Sequence, residues 1–271
     1  MKLPDFNAFS LLLGIVVGIF ALLLYFRIKT RLSKLRNLII KRKSQLKISK
    51  NSDVLLRQYL LRKVQSLHVA SDVFPLNDLY VPQKLYSHPL LANYGDNIED
   101  EPVFFRDSLQ ISDVPELSSA FPLPTITLRQ AIINKKNIAI SGMIGSGKTT
   151  CLAKLASELL EISKGEGNFS SPLPIYLDIR SLTCQENPSS LLETITRVLY
   201  DENKDLLPSL IKPVLEAHLK NSKLLLLIDG LDELAPDNFL AAVELLQYYY
   251  KEYPEVQIVT TCGPYFSGGL S

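Results

Sequence analysis

Cysteine and histidine are scarce in this 271-residue chain, three of each. Cys151, Cys184 and Cys262 lie far apart and are odd in number, which excludes a disulfide framework and suits a reducing compartment. His68, His88 and His218 form no metal-ligand spacing with the cysteines or with one another. No metal site built by the protein alone is therefore expected. Internal repeats are also lacking. Charge is missing from one stretch, Ala8 to Phe26, and acid is missing from the next, Arg27 to Lys50.

The uncharged stretch is 19 residues long. As a helix it would measure roughly 28 Å, close to the hydrocarbon thickness of a bilayer. A cleaved signal peptide would place its basic residues before the apolar run and small residues after it. Here Lys2 is offset by Asp5 before the run, and the basic sequence RIKTRLSKLR follows it. The pattern predicts an uncleaved single-pass anchor over 8–26. Arg27 to Lys50 holds ten basic residues, against Lys2 alone on the other side. That asymmetry places the N-terminus outside and the long C-terminal part in the cytoplasm. Residues 1–50 hold 11 basic residues and one acidic residue, so the remainder, with 18 basic and 27 acidic, is net −9. A net acidic body argues against nucleic acid as a partner.

Four regions follow from composition: an N-terminal segment 1–26, a basic juxtamembrane helical region 27–70, a proline-rich linker 71–124 and a regularly patterned domain 125–271. In the second, Ile28, Leu32, Leu35 and Ile39 recur at helical spacing among lysines and arginines. That stretch reads as an amphipathic helix, lying on an anionic membrane surface or pairing with a partner helix, or as a solvated stop-transfer flank. Leu56, Leu60, Val64 and Leu67 mark one face of a further helix over Asp53 to His68. The linker carries Pro75, Pro82, Pro89, Pro102, Pro115, Pro122 and Pro124 with an acidic cluster, so only short ordered pieces are expected in it. Beyond Thr125 the apolar runs NIAIS, PIYLDI, LLLLID and VQIVTT alternate with amphipathic helical patterns. This alternation predicts an α/β fold, a mostly parallel sheet covered by helices on both faces.

The chemistry centres on GMIGSGKTT, which spaces Gly142 from Gly147, Lys148 and Thr149 as a phosphate-binding loop requires. Glycines at 142, 145 and 147 let backbone N–H groups turn toward a polyphosphate at a helix N-terminus. A glycine-rich turn with an exposed lysine is the plain alternative, but a strand before and a helix after favour the loop. Gly142, Gly145, Ser146, Gly147, Lys148, Thr149 and Thr150 are the candidate nucleotide-binding residues. Lys148 would reach the β and γ phosphates, and the Thr149 hydroxyl would ligate Mg²⁺. The second motif is LLLLIDGLDEL, an apolar run that ends in Asp229. A carboxylate is costly at the end of a buried strand unless positive charge meets it. At the carboxyl edge of an α/β sheet that charge would be Mg²⁺, making Asp229 the second metal residue. Asp232 and Glu233 are either the catalytic acids that orient or deprotonate a water, or acids compensating a helix dipole.

With LLLLIDGLDEL, GMIGSGKTT resembles the NACHT group of STAND P-loop NTPases. That group places a small residue directly after the magnesium-binding Asp and another acid three positions on, as Gly230 and Asp232 do. PIYLDIRSL is similar to the family's second strand, and LNDLYVPQKL (76–85) to the segment that precedes the domain. The resemblance implies ATP with Mg²⁺ as ligands, slow hydrolysis, and a switch that is closed with ADP and self-associates with ATP. It also implies a Thr/Ser-Arg-Pro sensor after VQIVTT, where this chain has Thr260-Thr261-Cys262-Gly263-Pro264 and no arginine. A fifth sheet strand, a helical lid, a winged helix and a repeat sensor are implied after it, so the domain is read as C-terminally incomplete. FSGGLS resembles an ABC-transporter signature but follows the acidic strand instead of preceding it. ENKD (202–205) departs by one place from a guanine-reading motif.

Together these point to a membrane-anchored cytoplasmic ATP-binding switch. The alternative is a nucleotide-holding scaffold without significant hydrolysis; a motor ATPase would need an arginine finger, and none can be assigned. Expected partners are ATP and ADP, the membrane, further copies of the chain and a signalling partner of unidentified kind. Lys148→Ala is expected to abolish ATP binding, measured by equilibrium titration, while membrane insertion is retained. Unchanged binding would contradict the loop assignment.

Overall fold

The computed structural model describes residues 51–68, 70–83, 85–88, 107–111, 125–134, 137–162, 172–183 and 190–263. The anchor expected over 8–26, the basic stretch 27–50, Cys184 and FSGGLS lie outside them. Among the described residues no helix is long and apolar enough to cross a membrane. All described residues fall within one compact unit, 49–271.

The four apolar runs are strands: β4 (Ile138–Ser141), β5 (Leu173–Asp178), β6 (Leu224–Asp229) and β7 (Gln257–Cys262). Every residue of β4 and β6 is buried, as in a sheet covered on both faces. Four helices accompany them: α4 (Lys148–Ile162), α6 (Leu191–Glu202), α7 (Pro208–Lys220) and α8 (Pro236–Glu252), with the short α5 (Ile179–Thr183) after β5 and the single turns α2 (Leu76–Leu79) and α3 (Leu128–Ala131) upstream. Three further strands come from upstream: β1 (Leu85–His88), β2 (Asp107–Ile111) and β3 (Thr125–Ile126). The sheet order is β3-β1-β2-β4-β7-β6-β5. From β2 to β5 all neighbours run parallel, and β1 is antiparallel to both β2 and β3.

Two features of this order matter for the site. First, β7 stands between β4, which carries the glycine-rich loop, and β6, which carries the acids. The acidic strand is therefore one strand removed from the loop, and β7 side chains lie between the two motifs. Second, the place beside β4 on the side away from β7 is filled by β2, in parallel register with Leu109 opposite Ile140. A strand from the proline-rich stretch thus occupies the position flanking the loop strand.

The opposite edge is β5, and helix α1 (residues 51–65) covers it. Leu56, Leu60 and Val64 form the buried stripe expected from their spacing. Polar residues of α1 cap carbonyls beside and on that edge strand: Arg57 Nη1 donates to Pro172 O at 3.2 Å and Lys63 Nζ to Tyr176 O at 3.1 Å. An uncovered edge strand would present these groups to other chains. Glu202, the first residue of ENKD, accepts from Lys63 at 2.6 Å and from Tyr59 Oη at 2.9 Å, so its place in the fold is a clasp on α1.

Deeper in this contact, Asp53 and His218 are both fully buried, with Asp53 Oδ1 2.8 Å from His218 Nε2 and Oδ2 3.1 Å from Arg57 Nε. Burial pushes the Asp53 carboxyl up, but the bond to His218 and the charge of Arg57 outweigh it and hold it below the ordinary 3.8. A group depressed in the folded state contributes stability above its unfolded pKa, so this contribution is lost as the pH falls below 3.8. Asp53→Ala would leave Arg57 and His218 buried without their carboxylate. It is expected to cost about 3–5 kcal/mol in urea unfolding near neutral pH, with the difference from wild type shrinking at acid pH. A loss under about 1 kcal/mol, the range of exposed pairs, would contradict the buried-pair account.

Candidate nucleotide site

The loop between β4 and α4 has the backbone that its glycines allow. Gly145 and Gly147 sit at φ of +82° and +89°, a region that side chains with a Cβ enter at a cost. A Cβ on Gly142 would lie 2.7 Å from Ser146 Oγ, so the cradle has no room for one. Gly142 N–H continues the sheet ladder by donating to Cys262 O at 3.3 Å. Lys148 opens α4, and Thr149 and Thr150 lie half-buried in its first turn. Ser146 Oγ is buried with no hydrogen-bond partner among the described residues. An orphaned hydroxyl in a cradle of this kind fits an oxygen-rich ligand such as a polyphosphate.

The Lys148 side chain is only 9% exposed. It donates to the carbonyls of Gly142 at 2.8 Å and Met143 at 3.1 Å, and lies 3.3 Å from Asp232 Oδ2. A buried ammonium requires such partners. The contacts hold the lysine folded back across the loop, where a phosphate would compete with Asp232 for it.

Asp229 ends β6, and two hydroxyls from the neighbouring strands hold its carboxylate. Tyr176 of β5 donates to Oδ2 at 2.9 Å, and Thr261 of β7 donates to Oδ1. Thr261 Oγ1 also accepts from Gly230 N–H at 3.1 Å. Burial and the Asp229 charge push the Tyr176 phenol far above its ordinary value, so it remains a proton donor. Gly230 has φ +87°, which turns the chain sharply away from β6 and returns Asp232 toward the loop.

Asp232 and Glu233 lie on a 3₁₀ turn (Leu231–Glu233) that precedes α8, which itself begins at Pro236. They diverge: Asp232 faces Lys148, whereas Glu233 Oε2 lies 3.4 Å from Arg180 Nη1. Arg180 is gripped by Asp178, its Nε 2.9 Å from Oδ1 and 3.1 Å from Oδ2. The Arg180 guanidinium in turn holds the Asp178 carboxyl below its usual range. Lys148 and Arg180 thus flank four carboxylates at one end of the sheet. Among the described residues no three acids, histidines or cysteines converge closely enough to hold a metal ion themselves. A cation here would have to share its ligands with a phosphate group, the arrangement typical of Mg²⁺. Thr149 and Asp229 are the residues whose chemistry suits it. The Cys262 thiol beside them is inert, pushed up to about 12 by burial and the Asp232 charge.

Sequence reading singles out the loop and the acids as candidates and passes over Gln83, Tyr176, Arg180 and Thr261, which lie against them. A Cβ on Gly147 would meet Gln83 Nε2 at 2.6 Å, so the stretch LNDLYVPQKL reaches the loop itself. The same stretch runs along α4, where Lys154 Nζ donates to Asn77 Oδ1 at 2.7 Å and lies 5.5 Å from the Tyr80 ring centroid. The available signals were polar atoms in apolar strands, namely the hydroxyls of Tyr176 and Thr261, and a lone arginine just past a strand end. Thr261→Val would leave Gly230 N–H and one Asp229 oxygen without their partner. It is expected to cost about 1–3 kcal/mol in chemical denaturation, and Thr261→Ser much less. Equal losses for the two would show that the methyl group matters and the hydroxyl does not.

Comparison with known proteins agrees with this geometry. The family model of the NACHT domain matches residues 136–265, a range that contains the loop, β4 to β7 and all four flanking acids. No curated protein matches the chain. Over residues 136–265 the chain is therefore similar to the NACHT domain, consistent with the NACHT family of STAND P-loop NTPases.

Proposed function

We propose that this protein is a membrane-anchored, ATP-binding NACHT NTPase that works as a nucleotide-controlled signalling switch in the cytoplasm. The observation that carries the reading is the position of Lys148, held between the loop carbonyls and Asp232. An arriving polyphosphate with Mg²⁺ would take Lys148 from Asp232, and the 3₁₀ turn and α8 behind that acid would feel the change. Binding is thereby coupled to a conformational difference, which a switch requires. Mg²⁺, when bound, would supply positive charge at the transferring phosphate; the groups suited to hold it are the Thr149 hydroxyl and the Asp229 carboxylate. Glu233 is the candidate to orient or deprotonate the attacking water, once released from Arg180. Self-association in the ATP state and a downstream partner complete the reading, and the apolar run 8–26 with its basic flank supports the anchor.

A second reading is a scaffold that binds nucleotide for stability and hardly hydrolyses it, since any ligand of the folded state stabilises it. It is favoured by the end of β7, where Thr261, Cys262 and Gly263 stand in place of an arginine sensor.

The test follows ATP conversion to ADP with Mg²⁺ over hours, together with particle size by light scattering. The switch is expected to turn over slowly, to grow in size with ATP but not with ADP, and to lose about 10²-fold or more of its turnover in Glu233→Gln. ATP that stays bound and intact, with no change in size, would favour the scaffold.

A further inference from the structure

The Asp229 carboxylate has a support that reaches outside the matched NACHT range. Tyr176 is an isolated phenol in an otherwise apolar strand, Leu173 to Leu177, and is 6% exposed. Its hydroxyl is spent on Asp229 Oδ2. Its main chain lies on the sheet's edge strand, where a carbonyl has no ladder partner on the outer side. Lys63 of α1 caps that carbonyl at 3.1 Å and lies 5.6 Å from the ring centroid of the same tyrosine, within cation–π range. Lys63 is itself held by both carboxylate oxygens of Glu202, at 2.6 and 2.7 Å. One helix face thus fixes the backbone and ring whose far end fixes the metal-site acid.

We infer that Tyr176 is a positioning residue for the Asp229 carboxylate and that Lys63 of α1 holds it in place. This inference rests on the reading of Asp229 as the acid facing Mg²⁺. The physical reason is direct. An aspartate carboxylate can turn away from a cation about its two side-chain torsions, and partners behind metal-site groups fix its orientation. With Thr261 on one oxygen and Tyr176 on the other, both sides of Asp229 are pinned. The threonine comes from the adjacent β7, whereas the tyrosine is itself braced by α1, the helix that follows the basic stretch.

The test measures ADP affinity by calorimetry on the full chain, once with saturating Mg²⁺ and once in excess EDTA. Its readout is the ratio of the two affinities. Tyr176→Phe keeps the ring and deletes the hydroxyl; it is expected to lower the Mg²⁺-dependent gain by about 10–100-fold while leaving the EDTA affinity unchanged. Lys63→Met, which keeps the apolar stem, is expected to lower the same gain by roughly 2–30-fold. If Tyr176→Phe weakens binding equally in both media, or in neither, the positioning role is wrong. A Lys63→Met protein with the wild-type ratio would remove α1 from the inference. Failure of the wild-type chain to bind ADP in either medium would instead overturn the nucleotide-site reading on which the inference stands.

Discussion

A carboxylate placed at the end of a fully buried strand must find donors, and the geometry around Asp229 follows from that requirement. The donors come from the strands on either side, Tyr176 from β5 and Thr261 from β7, so β5, β6 and β7 must be in register for the acid to be satisfied. Asp178 lies opposite Asp229 in the same register, and it holds Arg180, which reaches Glu233. On the other flank, the turn set by Gly230 returns Asp232 to Lys148. The burial of one acid therefore organises a network that includes every charged residue at this end of the sheet described above. Its inner members, Asp229 with its two hydroxyl donors and Lys148 with Asp232, are shielded from solvent, a setting in which removing one member costs more than the pair itself contributes, whereas Arg180 and Glu233 are exposed.

The glycine-rich loop obeys a complementary constraint. Its positive-φ glycines and the helix behind it present donors, and Lys148 adds a cation that is almost out of solvent. Positive and negative halves of the site are separated by β7, so ligand and metal would bridge two strands that do not touch. Thr261, on the strand between the halves, serves the acidic one, holding both Asp229 and the Gly230 turn.

Most of the central sheet was legible in the sequence because fully buried parallel strands read as unbroken apolar runs, and LLLLID is as plain a case as this chain offers. The helices were legible for a related reason: stripes such as Leu56, Leu60 and Val64 appear at helical spacing. Strands β1 and β2 were not, since four or five residues amid prolines and acids carry no period long enough to recognise. Loop and acids were legible as motifs because their chemistry fixes residue type and spacing together. Their partners were hidden for a physical reason: Asp53 meets His218 across 165 positions and Tyr176 meets Asp229 across 53, and local pattern contains nothing about either contact. The opposite fates of Asp232 and Glu233, adjacent in sequence yet paired to different cations, likewise needed the turn at Gly230.

The central claim is that the Lys148 cradle and the Asp229 carboxylate form one nucleotide site. The measurement that tests it most directly is to denature one sample of the purified chain and identify any released nucleotide and metal, and to titrate a second, folded sample stripped of nucleotide with ADP and Mg²⁺. The account expects close to one adenine nucleotide per chain, released or rebound, with the Mg²⁺-dependent gain in affinity lost in Asp229→Asn and binding without Mg²⁺ unchanged. A chain that neither releases nor takes up nucleotide, or whose Asp229→Asn variant binds as wild type with Mg²⁺, would contradict it.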